Sequence, residues 1–152
     1  MNTPVYQLDV VDPEAGVDAV LADLLALELP GDVPDRIAVA ALDISSERLS
    51  DIARITRKGC IFDRTGFREL LEHATVTGGW FFFGATGKVG DAVEPVDVPR
   101  LLERSAFVAD VLDGRFLCAR TVRREVADAL RNVIVGATEM EPCELEEVRL
   151  MY

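Results

Sequence analysis

Four consecutive aromatic residues, Trp80-Phe81-Phe82-Phe83, constrain the fold of this chain more than any other feature. Successive side chains of a strand point to opposite faces, so Trp80 and Phe82 go one way and Phe81 and Phe83 the other. A strand with aromatics on both faces belongs in the middle of a sheet that is covered on both sides. The run 36–43, RIAVAALD, is nearly continuous in apolar residues and fits the same description. These two runs set the class: a sheet with helices against it, in one globular domain.

The rest of the 152 residues can be arranged around them. Residues 5–11, VYQLDVV, read as a strand. Asp12-Pro13-Glu14 reads as a helix start, with Asp12 as the cap. Val17, Val20, Leu21, Leu24 and Leu25 then repeat at helical spacing, and Pro30-Gly31 ends that helix. A helix capped by Ser45 or Ser46 is expected to run to Gly59, followed by a short strand at Cys60-Ile61-Phe62. Asp63 or Thr65 caps a third helix carrying Phe67, Leu70, Leu71 and Ala74. Asp97 and Pro99 open a short helix. Asp113-Gly114 between two strand-like runs signals a β-hairpin. A helix with Val122, Val126, Ala129 and Leu130 follows, and strands are expected at 133–137 and 144–152. The expectation is an α/β (or α+β) domain spanning 1–152, with a mixed sheet flanked by helices.

The net charge of −11 narrows the function. That field repels phosphate backbones and anionic membranes, so neither nucleic acid nor a membrane is the expected partner. The N-terminus lacks a basic segment followed by an apolar run, and no apolar stretch approaches the roughly 20 residues of a membrane helix. Cys60, Cys118 and Cys143 are odd in number and without metal-ligand spacing, which suits buried thiols in a reducing cytoplasm.

The segment Gly84-Ala85-Thr86-Gly87-Lys88-Val89-Gly90 is similar to the glycine-rich dinucleotide loop of atypical and extended short-chain dehydrogenases. That resemblance implies a pyrophosphate held at Gly84, Gly87, Lys88 and Gly90. It covers seven residues. Pro95 and Pro99 stand where the loop's long helix belongs, and the Tyr-x-x-x-Lys of that family is absent. The stretch therefore reads as a surface turn, and no cofactor is expected.

Other chemistry-bearing residues are isolated. His73 is the sole histidine, so no multi-histidine metal site exists, and no metal is expected. At a helix end near Glu72, Cys60, Asp63 or Arg64, it is the one candidate acid–base residue. Asp9, Asp12 and Asp43 lie near strand ends and could converge. Arg120, Arg123 and Arg124 form a small basic patch. Trp80, Glu139, Glu141 and Glu144 are the candidate contacts for a ligand or partner.

With no catalytic set, the leading expectation is a non-enzymatic, acidic protein-binding or inhibitor module, similar to immunity proteins, that meets a basic protein. The first alternative is a small-molecule-binding domain or small enzyme with its site at the 84–99 loop near Trp80 and His73. The second is an assembly subunit that pairs the aromatic strand or the C-terminal strand between chains.

Overall fold

A computed structural model of the chain describes residues 3–29, 31–45, 50, 61–86 and 98–151. The strands are β1 (Pro4–Val11), β2 (Ile37–Ser45), β3 (Ile61–Phe62), β4 (Thr75–Phe83), β5 (Phe107–Leu112), β6 (Phe116–Thr121), β7 (Thr138–Glu139) and β8 (Cys143–Glu144). The helices are α1 (Val17–Leu25), α2 (Arg64–His73), α3 (Val98–Glu103), α4 (Arg124–Val133) and α5 (Leu145–Met151). The fold is α+β. The sheet runs β3-β2-β4-β5-β6-β1-β7, with β8 also on β1. All of these pairings are antiparallel, so the sheet is antiparallel rather than mixed. Short connections such as the Asp113-Gly114 hairpin return the chain alongside itself, which favours antiparallel neighbours. Asp113 and Gly114 both have positive φ, and the Arg115 N–H donates to the Leu112 carbonyl.

Both aromatic faces of β4 are buried, for different reasons. Phe81 and Phe83 pack with Val39, Phe107 and Leu117 beneath α1, α2 and α4. Phe67 of α2 is the hub there, meeting Phe62, Phe81 and Phe83 edge-to-face at centroid distances of 6.1, 5.5 and 5.8 Å. Phe82 lies on the opposite face with Ala38, Ala40 and Val108, under Leu101 and Leu102 of α3 and Leu145 and Val148 of α5. Trp80, partly buried, packs at the margin of this second cluster.

Several sequence expectations need correction. Asp12 does not cap α1, which starts at Val17 behind Gly16. It ends β1 at positive φ instead, where Arg115 takes both carboxylate oxygens at 2.8 Å. A bidentate guanidinium outcompetes a single backbone N–H for that carboxylate. α1 stops at Leu25, before Pro30-Gly31. Asp63 does cap α2, accepting from the Gly66 N–H at 2.7 Å.

The two expected C-terminal strands are largely absent. Val133 closes α4, and Ile134 follows it into the core, four residues after Leu130. That i, i+4 burial outweighs the β preference of Val-Ile-Val. The last segment is helix α5: Leu145 and Val148, at i and i+3, bury on the sheet, and Glu146 and Glu147 suit the positive end of a helix. Strand survives only in β7 and β8. They follow the same edge of β1 with a one-residue register shift around Pro142.

Candidate functional site

The residues singled out in the sequence are mostly dispersed. β4 separates His73 from Gly84, and nine residues of strand span roughly 30 Å. Asp63 and Arg64 begin α2, whereas His73 ends it, so those two lie a helix length from the imidazole. Gly87, Lys88, Gly90 and Cys60 lie outside the described residues, as does the expected helix after Ser46 apart from Ser50. Gly84 is a packing turn: at φ +68, an added Cβ would lie 2.4 Å from a Val33 methyl. Its N–H donates to the Arg36 carbonyl at 2.8 Å.

Asp9 lies on β1 and Asp12 directly follows that strand, but Asp43 lies on β2, four strand spacings or about 19 Å away. Glu139 is held by Arg131, which also pairs with Asp128. Arg131 keeps the Glu139 carboxyl below its usual range. Glu141 is exposed and Glu144 lies in β8. Arg123 and Arg124 stand exposed at the start of α4, while Arg120 is buried in β6 and does not join them at the surface.

A different group comes together. On the second face, α3 and α5 cover the end of the sheet at Val5, Ala38, Phe82 and Val108, and among the described residues they leave Val11, Phe116 and Leu112 at the other end exposed. Val5 and Val108 face α3 and α5, so alternation places Gln7, Asp9 and Val11 of β1 and Asp110 and Leu112 of β5 on this side. Leu117 and Ala119 face the first core, which puts Phe116, Cys118 and Arg120 here too. The register aligns them in rows. Gln7 stands beside Arg120; Asp9, Cys118, Asp110 and Trp80 form the next row; Val11, Phe116 and Leu112 form the outermost.

Arg120 is the anchor, only 8% exposed. Its Nε donates to Gln7 Oε1 and its Nη1 to Asp110 Oδ1, both at 3.1 Å. The Gln7 amide in turn donates to both Asp9 oxygens at 3.1 and 3.2 Å. Burial raises the Asp110 carboxyl above its usual range, against the opposing pull of Arg120. Burial also pushes the Cys118 thiol up from its ordinary value.

Two depressions, of about 280 and 340 Å³, flank this row and share Asp110 and Leu112. The second adds Asp43, Thr77, Trp80 and Asp113. Asp43 enters it where β2 slips register past β4, beside Ala41 at φ +52. Bulges of this kind re-aim side chains at sites. Among the described residues, the charged ones lining the two depressions are Asp9, Asp43, Asp110, Asp113 and Arg120. The outer row is apolar and open: Val11, Phe116 and Leu112 are 57, 37 and 61% exposed.

Of the sequence candidates among the described residues, Trp80, Asp9, Asp43, Cys118 and Arg120 reach this site. Gln7, Asp110, Leu112 and Phe116 were missed. A signal for them existed: in AFVADVL and RFLCART, polar residues alternate with core residues, and the Asp113-Gly114 hairpin sets Asp110 opposite Cys118. Among the described residues, no cluster of His, Cys, Asp and Glu could hold a metal ion. No described helix is long and apolar enough to cross a membrane. No family model, curated protein or solved structure matches this chain.

Proposed function

We propose that the protein is an acidic protein-binding module that associates stoichiometrically with a basic partner, as an immunity-type inhibitor does. The observation that carries this reading is the open end of the second sheet face. An apolar row lies there beside a carboxylate-rich row, on a chain of net charge −11. Apolar anchors beside unbalanced charge are what a partner surface needs: burial supplies affinity and the charge supplies rate and selectivity. The free thiols Cys118 and Cys143 suit a reducing cytoplasm.

Affinity capture of the tagged protein from its own extract, at low and high salt, tests this. The expected result is one basic protein at stoichiometric yield, released by salt. A retained small molecule without a protein partner would replace this reading with the second one, a small-molecule site. That alternative draws on the depression where Trp80, Asp43 and Asp110 meet. An assembly role through β4 has no support, because β2 and β5 occupy both of its edges.

A further inference from the structure

We infer that the open face receives a basic amphipathic helix of the partner, laid along β6, with an apolar side chain on Phe116 and Leu112 and an Arg or Lys one turn further on, over Asp9 and Asp110. This rests on the partner-binding reading above and specifies its docking mode.

Three dimensions agree. β1, β6 and β5 are consecutive in the sheet, so the apolar row of Val11, Phe116 and Leu112 is two strand spacings wide, or about 10 Å. One helix is about that wide. α3 and α5 already form a helical layer over the other end of this face, at Val5, Phe82 and Val108, so a third helix would continue an existing layer. Along β6, the apolar and carboxylate rows are two residues apart, about 6.8 Å. Residues i and i+4 of a helix rise about 6 Å, so an apolar residue followed four positions later by Arg or Lys fits both rows.

Charge selects the occupant. Among the described residues, the lining carboxylates Asp9, Asp43, Asp110 and Asp113 outnumber the cations beside them: Arg120 already donates to Gln7 and Asp110, and Arg115, over the Phe116 ring at 5.3 Å, is held by Asp12. A second copy of this chain would set like rows against each other, on two molecules of net charge −11 each. An acidic helix meets the same repulsion. A basic helix neutralises the row and covers the exposed apolar side chains in one step.

The test is selection from a yeast-displayed library of helical peptides of about four turns, with charged and apolar positions randomised, against the intact protein. Enriched peptides are expected to carry the apolar-x-x-x-Arg/Lys spacing. They should lose at least tenfold in affinity against Phe116→Ser and against Leu112→Glu, and weaken with added salt. The proposal is overturned by no enrichment, by enrichment of extended or acidic sequences, or by peptides that bind both variants as well as the parent. Melting curves confirm that the variants stay folded, and both substituted side chains are solvent-exposed. Failure here separates from failure of the broader reading: a basic partner captured equally by parent and Leu112→Glu protein would keep the partner and remove only this docking mode.

Discussion

The two faces of the sheet are built from the same strands, yet one is closed and the other open at one end. On the first face, three helices meet a layer of Phe81, Phe83, Phe107 and Leu117, organised around Phe67. On the second, among the described residues, two short helices cover the end of the sheet at Val5, Ala38, Phe82 and Val108. Where they stop, the strands keep their alternation but change its chemistry, from Val5 and Val108 to Gln7, Asp9, Asp110 and Arg120. The difference separates stability from recognition. The first face holds the fold, and the second exposes apolar side chains that a stability requirement alone would have replaced or covered.

Substitutions can break this contrast, and the largest effect belongs to the closed face. Phe67→Ala is expected to destabilise by about 3–5 kcal/mol, because the cavity is surrounded by three other rings. Phe116→Ala on the open face should cost under about 1 kcal/mol. Chemical denaturation of both variants checks this. Equal losses would mean that the open face is also core.

Arg120 is the point where the open face does hold the fold. Arg120→Ala leaves Asp110 without its cation and is expected to cost roughly 2–3 kcal/mol, below the value for a fully buried pair since Asp110 keeps some solvent. Gly84→Ala should cost about 2 kcal/mol, because the added methyl meets Val33 at a positive φ. A Gly84→Ala protein of parental melting temperature would reopen a binding role for that loop.

The smallest effects are in titration, and they run in opposite directions. Asp110 sits above the ordinary 3.8 because of burial, and its contribution to stability is fully present at low pH and lost as pH rises through its folded pKa. Asp12 sits below 3.8 because Arg115 bonds it, and its contribution is present above that value and lost as pH falls through the folded pKa. Carbon-detected NMR titration of the two carboxyls should give midpoints on opposite sides of 3.8. The same side for both would disprove the contrast.

Much of the first face was legible from the chain alone. The helical spacing of Val17, Leu21, Leu24 and Leu25, the Asp63 cap, the central aromatic strand and the hairpin at Asp113-Gly114 each follow from local chemistry. The candidate site was legible only in fragments. Trp80 was chosen for its place in β4, but Asp110 and Gln7 acquire meaning only beside Arg120. Asp12 misled because the competing partner, Arg115, is 103 residues away along the chain.

By itself, then, the sequence determined the sheet, its burial on both sides of β4 and the acidic character, since these depend on alternation, caps and composition within a few residues. Tertiary structure alone decided that the described strands all pair antiparallel and that the segment from Leu145 is helix α5. It also decided that Asp9, Cys118, Asp110 and Trp80 stand in one row. The physical reason is register: which residues become cross-strand neighbours depends on contacts between segments far apart in the chain, and no local preference encodes them.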